Sequence, residues 1–311
     1  MTDDDEIRVL TANIEHDGRD RDGSTTRWHK AMKVMAAVSP HVLLRQELTR
    51  ADLHGKQAMW DQANALGNGF FPFMATASKE SANPTGVFLD TSVFQPIQEF
   101  EHSTLLWHPV CNPVVRLKGA LPEVKPLSLA SAHLCYWDPD TRAREARRLT
   151  TLGKPGMETI IGGDFNSYVH AADEAPSLPD WDEVDNRSHV EHRTVIGPNG
   201  VRVSDTRPDA ILAGRHGTRP PVFAELGQHA VRLGQSRTTA LAPTASLWRK
   251  DQGPRQRIDR IYATPGIADA LVRIEVLDSD EVAEATDHAL VLAVFRWSKV
   301  VQALSGPAVT P

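Results

Sequence analysis

Short apolar runs that stop abruptly at carboxylate, amide or imidazole side chains recur from one end of this 311-residue chain to the other. They are IRVLTANI (7–14), HVLLRQEL (41–48), LSLASAHL (127–134) and METIIGGDF (157–165). Each is strand length and rich in aliphatic residues; IRVLTANI alternates in part, whereas HVLLRQEL and METIIGGDF read as buried strands, and strands that alternate favour packed sheets. FFPFMATA (70–77), TGVFLD (85–90), QRIDRIYAT (256–264) and HALVLAVFRW (288–297) read as further strands. Helical spacing separates some of them. Trp28, Ala31, Met32, Met35 and Val38 share a face over 26–38, which Ser39-Pro40 ends. A helix over 52–66 turns Leu53, Trp60, Ala63 and Leu66 inward, and a basic amphipathic helix over 141–152 does so with Ala143, Ala146, Leu149 and Leu152. Such interspersed elements predict an α/β fold of two sheets packed on each other with helices outside, rather than one doubly wound parallel sheet.

Composition excludes several classes. Apolar residues make up 41% and charged residues 24%, which is enough of both for a soluble core and surface. No window of 18 uninterrupted apolar residues occurs, so no membrane span is expected. The start, MTDDDE, is acidic where a secretory leader would be basic and then apolar. Cys111 and Cys135 have no metal-ligand spacing and read as buried free thiols, so a cytoplasmic home and a monomer are expected. We expect a flexible acidic stretch at 1–6, a single domain over 7–300 and a flexible tail at 301–311. The net charge of −6 does not advertise a nucleic-acid binder, yet eleven Arg/Lys face only five Asp/Glu between Arg202 and Arg260. That excess is either a face that meets phosphate or a set of internal ion pairs.

The residues that end the strands carry chemistry. Asp164 and Asn166 lie two apart, so on an extended backbone both point to one face, although an Asx turn after the strand fits as well. The Gly162-Gly163 pair before them permits a close main-chain approach. Glu47, at the end of a buried strand, is either a solvated strand-end carboxylate or a ligand for a hard divalent cation. His133 ends its strand as either a structural hydrogen-bond partner or a donor to an anion. His288 suits an imidazole acid or base, better oriented where a carboxylate holds one tautomer. No Walker-type phosphate loop is present.

Together TANIEH, LLRQEL, SAHL, GGDFNS, RIDRIY and ATDHA resemble, in order, the motifs of the endonuclease/exonuclease/phosphatase (DNase I-like) superfamily over about residues 7–297. The resemblance implies a four-layer α/β/β/α sandwich of two packed mixed β-sheets flanked by helices, with the site at one edge. It also implies a hydrolase that uses Mg²⁺, or Mn²⁺, to attack a phosphoester with water. Asn13, Glu47 and Asp287 would then form the metal end. His133 and Asn166 would hold phosphate, and Asp164, His288 and Asp259 would manage the proton. The final motif has Thr286 where the family has Ser, which keeps the hydroxyl. The substrate is less specified, since the strings of inositol 5-phosphatases and abasic-site enzymes do not fit. An Arg-rich insertion at about 171–256 is the expected specificity region, with Arg187, Arg207, Arg237 and Trp248 as substrate contacts. A nuclease, an endonuclease acting on DNA, is the leading reading. A phosphatase of a small phosphorylated metabolite or lipid head group, or a non-catalytic nucleic-acid or protein-binding module, are the alternatives.

Overall fold

The computed structural model describes every residue except 1–4, 68, 122–123, 172–173, 175–177, 216–217, 249–250 and 306–311. In chain order the strands are β1 (Glu6–Asn13), β2 (Val42–Gln46), β3 (Phe70–Met74), β4 (Gly86–Asp90), β5 (Phe94–His102), β6 (Val110–Leu117) and β7 (Leu127–His133). Then follow β8 (Glu158–Asp164), β9 (Thr194–Ile196), β10 (Arg202–Ser204), β11 (Ala224–Glu225), β12 (Asp259–Ala263), β13 (Leu271–Leu277) and β14 (Leu290–Arg296). Two six-stranded sheets result, ordered β13-β14-β1-β2-β4-β3 and β11-β12-β8-β7-β6-β5. Each is mixed, with one parallel pair at its centre, β1 beside β2 and β7 beside β8.

The doubly apolar strands are explained by what covers them. Val9, Leu44, Val87 and Val291 of one sheet meet Val115, Leu129, Ile160 and Ile261 of the other in a shared core. Their neighbours Leu10, Leu43, Phe88 and Leu292 face out onto Trp28, Met32 and Met35 of the helix Thr26–Ala37 and Met59 and Ala63 of the helix Leu53–Leu66. On the far side Ala130, Ala132, Ile161 and Tyr262 pack on Ala146 and Leu149 of the helix Pro139–Leu149. Alternate residues of each central strand therefore reach different apolar layers. This is the α/β four-layer sandwich.

Several expectations need correction. Leu53 and Trp60 are exposed, because a left-handed turn at His54–Lys56 rephases the helix and brings Met59, Gln62 and Ala63 inward. Strands β5, β6 and β13 carried no recognised signal. β5 is a largely exposed edge strand with Pro96 at a register shift, and Pro113 interrupts the β pattern of β6. Region 171–256 is mostly loop, as expected, but its described residues also form the helices Arg187–Arg193, Arg207–Ala213, Leu226–Arg232 and Arg237–Ala240, the hairpin β9–β10 and the edge strand β11. The start of the expected tail is helical, in Trp297–Leu304, and Asp5 and Glu6 are placed; residues 1–4 and 306–311 lie outside the described residues. No described helix is long and apolar enough to cross a membrane. Both cysteines are free and buried.

Candidate active site

Strand register assembles the site before any side chain is considered. β7 and β8 run parallel with His133 beside Asp164, and β12 runs antiparallel to β8 with Asp259 on the other side of Asp164. In the facing sheet Asn13 lies beside Gln46, so Glu47 follows at the same edge. Gly162 and Gly163 make this convergence possible. A Cβ on Gly163 would lie 1.7 Å from the Ala132 carbonyl oxygen, and one on Gly162 would lie 2.6 Å from Leu44 Cδ1 of the opposite sheet. The glycine pair thus serves the neighbouring strand and the facing sheet. Gln46 ties the sheets together through Ser131 Oγ at 2.9 Å.

The polar atoms meet in one cleft. Asn13 Nδ2 donates to Glu47 Oε1 at 3.4 Å and to Asp164 Oδ2 at 3.3 Å. The second Glu47 oxygen accepts from the His16 N–H at 3.1 Å. Glu47 has φ 56 and Asn166 φ 49, a left-handed backbone that costs a non-glycine residue of order 1 kcal/mol. The chain therefore leaves the extended state after Asp164. The Asn166 N–H closes an Asx turn onto Asp164 Oδ1 at 2.8 Å, and its side-chain amide donates to the Leu134 carbonyl at 2.9 Å. The expectation of two side chains on one face of an extended strand is corrected accordingly, though Asp164 and Asn166 both line the cleft.

His288 Nδ1 lies 2.8 Å from Asp259 Oδ2, leaving Nε2, 3.9 Å from Asp287 Oδ1, as the other ring nitrogen. Burial alone would lower the His288 pKa, but Asp259, then Asp287 and Asp164, raise it well above the ordinary imidazole value. Burial raises Asp259 despite the imidazole beside it. Burial acts on Asp164 in the same sense, but His133, His288 and Arg193 outweigh it and hold that carboxyl below its usual value. The Thr286 hydroxyl donates to the Asn13 carbonyl at 2.9 Å, tying the last motif to the first.

The donor set fits a hard divalent cation. Asn13 Oδ1 is buried without a partner, and Glu47 and Asp287 line the same cleft. A second cluster, Asp164, Asp259 and His288, has candidate ligand atoms within 4.8 Å of one another. The short Asp259–His288 contact engages Nδ1 in that cluster, whereas Asn13, Glu47 and Asp287 present oxygen atoms of the kind a hard cation takes.

Sequence reasoning missed several cleft residues. His16, Asn83, His108, Tyr136 and Arg193 all line it; His16 ends TANIEH without an expected role, Arg193 is one of the arginines of the 171–256 insertion, and Asn83, His108 and Tyr136 sit in no motif-like string. Arg193 donates to the Asn166 carbonyl at 2.7 Å. By contrast Arg187, Arg207 and Arg237 do not line the cleft. Arg207 is held by Asp205 and Asp140, both at 2.8 Å. Trp248 is partly exposed, and its indole donates to the Thr286 carbonyl at 2.8 Å. Of the basic residues between Arg202 and Arg260, Arg257 and Arg260 are buried.

No family model matches the chain, and no curated protein is similar to it in sequence. Solved structures are similar in fold. TDP2 from D. rerio complexed with single strand DNA product superposes with a TM-score of 0.59 at 15% identity, over 94% of this chain and 99% of that one. An endonuclease/exonuclease/phosphatase family protein from Bacteroides thetaiotaomicron gives 0.60 at 13% identity, over 94% and 96%. The mannosyl-6-phosphatase of the same organism gives 0.59 at 14%, over 92% and 98%. With its two mixed sheets, flanking helices and these likenesses, the chain has the endonuclease/exonuclease/phosphatase (DNase I-like) superfamily fold.

Proposed function

We propose that this protein is a metal-dependent phosphodiester hydrolase, an endonuclease acting on DNA. One observation carries the reading: Asn13, Glu47, His133, Asp164, Asn166, Asp287 and His288 reach one edge of the sandwich, with Asp259 fixing His288 from behind. Asn13, Glu47 and Asp287 would hold Mg²⁺ or Mn²⁺, which would neutralise charge on the phosphate. Water adds to phosphorus as the bond to the departing oxygen breaks. Asp164 and His288 are the groups placed to take and return the proton, and His133 offers a donor to a phosphate oxygen. We further take the protein to act as a monomer in the cytoplasm, which two buried thiols suit.

A second reading rests on a specific likeness, since the fold is shared with a mannosyl-6-phosphatase as well as with a TDP2 bound to DNA product. A phosphomonoester of a small metabolite is therefore the competing substrate. Supercoiled plasmid should be nicked with Mg²⁺, spared with chelator, and spared by Glu47→Ala and His288→Ala. An intact plasmid alongside hydrolysis of sugar phosphates would select the phosphatase, and no hydrolysis of any phosphoester with any divalent metal would remove both.

A further inference from the structure

Beside the assigned residues the cleft holds a further imidazole, His108, that the reaction above does not use. His108 is almost fully buried and its ring stacks on His133 with centroids 4.1 Å apart and planes 13° off parallel. His133 Nδ1 and His108 Nε2 are each buried without a protein partner. A buried polar atom left unsatisfied costs about 1–3 kcal/mol, and two on one stacked pair beside the cleft mark an incomplete site rather than a core contact.

The tautomer of His108 follows from its neighbours. Its Nδ1 lies 2.5 Å from Ser81 Oγ, and that oxygen already accepts the Asn83 N–H at 3.1 Å. The Ser81 hydroxyl proton is directed at Nδ1, which lies within hydrogen-bond distance as its acceptor. With Ser81 donating, Nδ1 is the lone-pair nitrogen and Nε2 carries the hydrogen. Burial, and then the adjacent His133, push the His108 pKa down to about 2, against an opposing contact with the Asn83 backbone.

We infer that His108 is a phosphate-binding residue whose Nε2–H, fixed by Ser81, donates to a non-bridging oxygen of the substrate phosphate beside His133. The inference rests on the phosphoester reading and deepens it by adding a neutral donor to the phosphate seat. A neutral donor suits this place, because a second imidazolium stacked at that distance would repel the first.

The test uses the full chain labelled with ¹⁵N-histidine, with inorganic phosphate and MgCl₂ as the probe. One imidazole should stay neutral and Nε2-protonated from pH 5 to 8, be absent from His108→Phe, and shift on addition of phosphate. His108→Phe keeps the ring stack but has no donor, so phosphate affinity and kcat/KM should each fall about 10-fold or more. His108→Gln, which keeps an N–H donor, should recover most of the loss, and Ser81→Ala should scramble the tautomer. An Nδ1–H tautomer, a resonance that ignores phosphate, or wild-type phosphate affinity in His108→Phe would each overturn the inference. If His108→Phe misfolds, the wild-type spectra and His108→Gln still decide it. A protein that cleaves no phosphoester while His108 responds to phosphate defeats the hydrolase reading alone; a plasmid nicked while His108 ignores phosphate defeats only this one.

Discussion

The two sides of the cleft are held in place by opposite means. One side is built from strand ends, where main-chain register puts His133, Asp164 and Asp259 in a row. The other side comes from region 171–256 and is pinned by buried charge. Arg142 meets Asp205 at 3.1 Å, and Arg257 meets Glu174 at 2.7 Å and Glu225 at 2.8 Å. Hydrogen-bonded register fixes positions whatever the side chain, so strand ends are free to carry strained or unsatisfied functional groups. Ion pairs fix positions only by consuming the charges themselves, and arginines spent on scaffolding are not available to a substrate. The arginines that pin this wall, Arg142 and Arg257, flank region 171–256; within it Arg207 is spent on Asp205 and Asp140, while Arg193 lines the cleft.

Predictions that break or sharpen this contrast follow, from the largest effect to the smallest. Glu47→Ala and His288→Ala should each lower phosphoester hydrolysis by about 10³-fold with little change in melting temperature, since the strand ends hold without them. Asp259→Asn should cost about 10²-fold through loss of the fixed His288 tautomer, seen in kcat more than in KM. On the other wall Arg257→Ala should strip two buried carboxylates of their partner and lower unfolding stability by ~3–5 kcal/mol in urea titrations. Wild-type stability in Arg257→Ala would refute the scaffolding role.

Glu145 offers a pH test on the same helix. Its carboxylate accepts from the Trp107 N–H at 2.5 Å and the Cys135 N–H at 2.6 Å, clasping the segments that carry His108 and His133. Burial raises its pKa from 4.5 to about 7. A folded value above the unfolded one means that stability is fullest below the unfolded value and is lost as pH rises through the folded one. Stability should therefore decline between about pH 4.5 and pH 7, and Glu145→Gln should flatten that slope whatever it does to absolute stability. The smallest effect is expected outside the cleft: Arg187→Ala, Arg207→Ala and Arg237→Ala should each stay within about twofold of wild-type turnover, as for ordinary surface changes. A tenfold loss in any of them would return these arginines to the substrate path.

The legible parts were those where local pattern and chemistry coincide. The β-rich runs of β1, β2, β7 and β8 were legible as strands, and the sandwich covers both faces of each. The strings ending in Asn13, Glu47, Asp164 and His288 named residues that do converge. The edge strand β5 escaped notice because it is largely exposed, and β6 because Pro113 breaks its pattern. Region 171–256 escaped because its order comes from side-chain ion pairs between residues far apart in sequence, such as Arg257 and Glu174, which leave no periodicity.

By itself, then, the sequence determined the α/β elements and two packed sheets, because strand and helix period are local properties; the four layers and the site edge came from the resemblance of its ordered motifs. Only the tertiary structure decided which arginines are spent on buried carboxylates, which glycine contacts bring the sheets together, and which histidine stacks on His133. Those outcomes depend on partners brought together by folding, and no window of sequence contains both members of such a pair.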